Sequence, residues 1–125
     1  MRYLLLILLF SPAALADPSL ECSDASSQVE IGECVGEMEN RVNQAVEASF
    51  RIAQQAATEL DEVTGRVVAQ PALEAAQKVW VIYRDTQCEA VGASYGGGSG
   101  TGIAITSCRV ELGRARVEEL LAFAN

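Results

Sequence analysis

The chain has 125 residues, half of them hydrophobic, with 17 acidic residues against 9 basic ones, a net charge of −8 and no histidine. That length allows one domain. The acidity argues against a nucleic-acid binder, because no basic patch is present to neutralise phosphates. The lack of histidine removes the commonest general base and any Ser-His-Asp or Cys-His arrangement.

Arg2, the apolar run from Tyr3 to Phe10 and Ala14-Leu15-Ala16 before Asp17 have the three-part pattern of a secretory signal peptide. The apolar run is much shorter than the roughly 20 residues of a spanning helix. We expect residues 1–16 to be removed and residues 17–125 to form one exported domain, periplasmic or secreted, with no membrane insertion after cleavage. Cys22 follows Ser19-Leu20-Glu21, and a bulky acidic neighbour does not suit lipid attachment at that cysteine. Loss of Arg2 with the leader leaves eight basic residues against seventeen acidic ones.

Cys22, Cys34, Cys88 and Cys108 all lie beyond the leader. An even count in an exported chain reads as two disulfides. No Cys-x-x-Cys spacing supports a zinc site, and no metal or other cofactor is expected. Sequence allows three connectivities. Cys22–Cys34 with Cys88–Cys108 is favoured, since each closes a short local loop. A straight helix would hold Cys22 and Cys34 about 18 Å apart, and a disulfide tolerates only about 7 Å. Residues 22–26 must therefore fold back along the helix that follows.

Ser27-Gln28-Val29-Glu30 is a capping box that opens a short helix ending near Cys34. A second helix is expected from about Glu37 to Thr64. Its proposed apolar face is Met38, Val42, Ala45, Val46, Ile52, Ala53, Ala56, Leu60 and Val63, with Gly65 as the stop. Pro71 suits the first turn of a third helix. That helix carries Leu73, Ala76, Trp80, Tyr83, Arg84 and Cys88 along one side and fades at Gly92. The glycines from Gly96 to Gly102 interrupt it. A fourth helix begins after Thr101 or Gly102 and runs to about Ala122. The fold class is all-α: a small antiparallel bundle of about four helices, stabilised by disulfides.

In the fourth helix Ile105, Leu112, Gly113, Val117 and Leu120 form a wide apolar arc. Arg109 and Arg116 fall inside it, while Glu111, Arg114 and Glu118 face the other way. An arginine on an apolar face needs partners. An internal polar network with Glu30 or Asp85 is the expected answer, and a binding cleft is the alternative. Trp80 reads as a core anchor, with Gln77 and Arg84 a turn away on either side to fix helix packing. Glu37 with Glu39, and Asp61 with Glu62, read as solvated surface rather than a catalytic pair. Tyr95-Gly-Gly-Gly-Ser99-Gly-Thr101-Gly lacks the closing Gly-Lys-Ser/Thr of a phosphate loop. It reads either as a flexible connection pinned by Cys88–Cys108 or as a protruding recognition loop with Tyr95, Ser99 and Thr101 as contacts.

Several blocks together resemble the LprI-type lysozyme-inhibitor domain, a bacterial exported family. They are Cys22 through Gln28 with Glu30 and Cys34; Gln77-x-x-Trp80-x-x-Tyr83-Arg84-Asp85-x-x-Cys88; Tyr95 with Gly97-Gly98-Ser99; and Cys108, Leu112, Arg114 and Arg116. The chain departs from the family pattern in its long helix, where of the usual Asp-x-x-Leu-Asn block only Asn43 fits. It departs again at Gly113, which stands where a threonine is usual. The resemblance implies an all-helical, non-catalytic, protein-binding domain that inhibits lysozyme or meets another cationic envelope protein. The alternative is a periplasmic interaction or structural module with a different partner.

Overall fold

The structure, a computed structural model, describes residues 17–125. The expected leader, residues 1–16, lies outside the described residues. Among them, four helices follow in order: α1 (Pro18–Glu21), α2 (Gln28–Thr64), α3 (Ala69–Ala93) and α4 (Thr101–Ala124). None is long and apolar enough to cross a membrane. The three long helices form the bundle, with α4 packed mainly along α2 and α3 closing over both.

Asp17 caps the single turn of α1, its Oδ1 accepting hydrogen bonds from the Ser19 N–H at 2.9 Å and the Ser19 hydroxyl at 2.7 Å. The chain then folds back, and Cys22 meets Cys34 with a Cα separation of 6.0 Å. The Cys22 sulfur is thus occupied by a disulfide. Ser27 caps α2, accepting from the Glu30 N–H at 3.2 Å. The Glu30 carboxylate reaches one residue beyond the usual box, to the backbone N–H and the hydroxyl of Ser26, both at 2.7 Å. The Ser26 hydroxyl first, and its N–H second, hold the Glu30 pKa below its ordinary value.

The expected break between a short helix and a second helix near Glu37 does not occur. α2 runs unbroken for 37 residues, about 55 Å. Gly32 and Gly36 weaken the helix there by up to about 1 kcal/mol each relative to alanine. Val35, fully buried between them, and the disulfide at Cys34 hold it together. Gly65 ends α2 in the left-handed conformation, with φ 68°. Pro71 sits in the first turn of α3, where its missing N–H is not needed.

The buried line of α2 is Val35, Val42, Val46, Ser49, Ala53, Ala57 and Asp61. Ile52, Leu60 and Val63, expected on the inner face, are exposed. The reason is steric. From the middle of α2 onward the inward positions Ser49, Ala53 and Ala57 are small enough for close helix approach and the larger Ile52, Leu60 and Val63 lie off that line, whereas nearer its start Val35, Val42 and Val46 are the inward residues. The core divides into two clusters. Val46, Ala53, Ala57, Leu73 and Leu120 fill one end, with Phe50, Trp80 and Val117 at its edge. Cys22, Val35, Val42 and Val110 fill the other. Trp80 is therefore half-buried at a cluster's margin rather than at the centre.

Asp61 is not surface. It is buried, and its carboxylate accepts from the backbone N–H groups of Val68, Ala69 and Gln70 at 3.2, 2.9 and 3.0 Å. It caps α3 from the end of α2, which matters because Val68, at the N-cap of α3, offers no side-chain acceptor. The Gln70 N–H is the largest influence holding the Asp61 carboxyl below its ordinary pKa, against the opposing effect of burial.

Candidate functional site

The second disulfide, Cys88–Cys108, ties α3 to α4 with a Cα separation of 5.5 Å. Between the two helices the chain makes a series of tight turns. Gly96 and Gly97 take φ values of 65° and 79°, a region open to glycine but costly for residues with a Cβ. Gly98 N–H donates to the Tyr95 carbonyl at 3.2 Å and Thr101 N–H to the Gly98 carbonyl at 3.1 Å. The connection is hydrogen-bonded turn by turn, not an open strand.

Of the three expected contact residues, Tyr95 and Ser99 are exposed. The Tyr95 ring packs against Gly100, where an added Cβ would stand 3.6 Å from Cδ1. Thr101 is half-buried, and its hydroxyl donates to the Gly98 carbonyl at 2.8 Å. That hydrogen is used inside the loop. Gly92, at the other foot of the loop, lies so close to Ile105 that any Cβ there would overlap its side chain. Loop and helices are thus locked together by one sulfur bridge and one glycine notch.

Beside the loop lies a groove of about 700 Å³ between α3, α4 and the N-terminal segment. Tyr83, Gln87 and Tyr95 line one wall, Leu20 and Ile31 the other, and Ser107 and Glu111 lie along α4. Burial first, and the Asp17 carboxylate second, push the Glu111 pKa up; Arg114 acts in the opposite direction. The Arg114 guanidinium is itself held by both carboxylate oxygens of Glu21, at 2.7 and 3.1 Å.

A polar cluster lies on another side of α3. Arg84 donates to Asp85 at 3.0 Å and to Asn43 at 3.4 Å. Arg116 donates to Gln77 at 3.0 Å and to Glu119 at 2.9 Å. Both guanidinium groups stand over the Trp80 ring, at 5.2 and 5.8 Å from its centroid. Arg109 lies among Glu39, Asp85 and Glu89 at 3.6 to 3.7 Å. Gln77, Arg84, Asp85 and Arg116 therefore occupy one structural cluster, and Glu30 does not join it. Glu30 is tied to Ser26 in the first turn of α2, whereas the unbroken helix presents Glu39 to Arg109. Glu39, read from sequence as solvated, is a half-buried ion-pair partner. Asn43 fits the long-helix block of the family pattern, and only the packing of α2 against α3 makes it a contact of Arg84.

These features combine a disulfide-pinned loop, an acidic groove beside it and a Trp-Arg cluster that supports both helices. A family described as lysozyme inhibitor LprI matches residues 21–120. An uncharacterized protein of Rhizobium meliloti (strain 1021) is 31% identical over 121 residues, covering 93% of this chain and 87% of that protein. No solved structure gives a significant match. The match spans both disulfides, the loop and nearly the whole bundle, so the chain belongs to the LprI lysozyme-inhibitor family.

Proposed function

We propose that this chain is an exported, non-catalytic inhibitor of lysozyme acting in the periplasm or outside the cell. The observation that carries the reading is the family match along residues 21–120. Two further properties support it. The chain carries a net charge of −8, and lysozymes are commonly basic, so long-range attraction would speed encounter and favour the right partner. Two disulfides suit an oxidising compartment.

The loop from Tyr95 to Thr101 is the proposed contact. Tyr95 supplies apolar area at the rim. Ser99 offers its hydroxyl to the paired carboxylates on which glycoside hydrolysis depends. Thr101 braces the turn through its bond to Gly98. Titration of the purified protein against several lysozymes, with turnover of cell-wall substrate as readout, tests the function. Inhibition should weaken as salt rises. Deletion of Gly97–Gly100 should abolish inhibition while leaving the helical circular dichroism unchanged; a deletion variant that still inhibits would show that another surface is used.

A second reading, an envelope interaction module with a different partner, draws support from the outer face of α3. Val79, Ile82 and Tyr83 are exposed there in an apolar stripe that a loop entering a cleft does not need. Pull-down from periplasmic extract separates the two: an endogenous partner in place of lysozyme favours the module.

A further inference from the structure

The groove beside the loop holds an unanswered polar group. Ser107 is 8% exposed, and its hydroxyl oxygen is buried without a hydrogen-bond partner. A helical serine or threonine turned away from solvent can donate to the carbonyl four residues back. Ser49 does so to Ala45 at 2.6 Å, and Thr106, the neighbour of Ser107, does so to Gly102 at 3.0 Å. Ser107 does not.

One turn further along α4, Glu111 makes no ion pair or hydrogen bond among the described residues. Asp17 is near enough to repel it, and Arg114 is taken by Glu21 in a two-pronged contact. The groove thus gathers two carboxylates and an unsatisfied hydroxyl, and among the described residues the nearby side-chain cation, Arg114, is engaged by Glu21; processing after Ala16 would add the Asp17 terminal ammonium as one further positive charge beside them. Tyr83 and Tyr95, both half-exposed, supply aromatic surface on the facing wall.

A guanidinium group answers this set. Its planar fork presents donors to several acceptors at once, and it stacks on aromatic rings in a way an ammonium does not. We propose that the groove receives one arginine side chain of a basic protein partner, its stem against Leu20 and Ile31 and its guanidinium between Glu111, Asp17 and the Ser107 oxygen. The proposal rests on the reading of this chain as a binder of a basic protein, and adds where and through which side chain the partner is held.

The test uses the exported protein beginning at Asp17, so that the terminal ammonium created by processing is present. The ¹⁵N-labelled protein is titrated with N-acetyl-arginine methylamide, and in parallel with the citrulline analogue, which has the same shape and no charge. The expected result is saturable shifts centred on the Ser107 and Glu111 amides, at roughly millimolar affinity for so small a probe, with citrulline at least about fivefold weaker. E111Q should weaken the arginine probe about tenfold. S107A should weaken it too, yet raise the melting temperature, because it removes a buried hydroxyl that nothing satisfies. A structural serine would do the opposite.

Equal binding of arginine and citrulline, shifts elsewhere on the bundle, or an E111Q variant that binds arginine unchanged would each overturn the proposal. The same variants are then titrated with lysozyme. If lysozyme binds wild type, E111Q and S107A equally, the groove assignment fails and the inhibitor reading stands. If the arginine probe fills the groove while no lysozyme binds wild type, the groove chemistry stands and the inhibitor reading fails.

Discussion

Gly113 of α4 faces Val42 of α2 so closely that a Cβ at position 113 would stand 2.9 Å from one Val42 methyl and 3.1 Å from the other. Both residues are buried. The valine cannot swing aside easily, because β-branching leaves it one strongly preferred rotamer in a helix. G113A gains up to about 1 kcal/mol of helix propensity and loses about 1–3 kcal/mol to overpacking. The net expectation is a loss of about 1 kcal/mol. V42A in the same chain should recover part of it, so that the double variant is more stable than the sum of the single effects requires. Urea denaturation of the four proteins measures this. Strict additivity would mean the two helices separate without cost.

Asp61 sets the acid limb of stability. Its folded pKa lies below the ordinary value of 3.8. Its contribution is therefore present above that value and is lost as pH falls through the lower folded one. D61A should melt at a lower temperature at neutral pH and should show a shallower decline between about pH 4 and pH 2. Thermal melts followed by circular dichroism across that range check both. Parallel pH profiles for wild type and D61A would remove the cap from the explanation.

Glu111 works with the opposite sign. Its folded pKa is raised above 4.5, chiefly by burial. Stability linked to it is fully present below the unfolded value and is lost as pH rises through the folded one. E111Q should therefore raise the melting temperature at neutral pH and leave it unchanged near pH 3. The same scan reads this out, and an E111Q protein less stable at neutral pH would contradict the assignment.

The Cys88–Cys108 bridge closes a loop with a sequence separation of 20. Replacing both cysteines by alanine should cost about 3 kcal/mol on the chain-entropy model. Guanidinium denaturation under non-reducing conditions measures it. Inhibition should fall further than stability does, since the loop from Tyr95 to Thr101 would lose the pin at its feet. Full inhibition by a destabilised but folded double variant would separate the bridge from the contact surface.

Trp80 is the chain's single tryptophan, so its fluorescence reports on the two arginines above its ring without interference. A double-mutant cycle between W80L and R116A should give a coupling of about 0.5–1 kcal/mol. R116K should shift the emission and lower stability, because an ammonium does not reproduce the guanidinium's stacking on the ring together with its bond to Gln77. A coupling near zero would leave Arg116 only its hydrogen bonds.

Much of this was legible in the residues. Ser27, Gly65, Pro71 and the glycines from Gly96 to Gly100 mark their turns locally, although the expected interruption through Gly102 ends earlier, since α4 already begins at Thr101. Both cysteine pairs are short-range enough for chain geometry to favour them. That the arginines on the apolar side of α4 need partners could be anticipated, and Asp85 stands 3.6 Å from Arg109; the particular Arg84–Asp85 and Gln77–Arg116 pairings could not. Asp61 could not: its targets begin seven residues away, across a turn whose shape depends on how α2 and α3 pack. The groove was equally hidden. Ser107 and Glu111 are unremarkable in sequence, and only the placement of the N-terminal segment beside α4 brings Asp17 toward them.

The sequence by itself determined helices, where most of them stop, and which cysteines lie near enough to join, because caps, glycines and short loops act over a few residues. The tertiary structure alone decided which flank of each helix turns inward. Of the expected apolar face of α2, Val42, Val46 and Ala53 point inward while Ile52, Leu60 and Val63 point outward, because only the stripe that meets the partner helices is covered, and close approach at Ala53 and Gly113 favours small side chains there. That choice depends on the partner helix, and no single stretch of chain contains it.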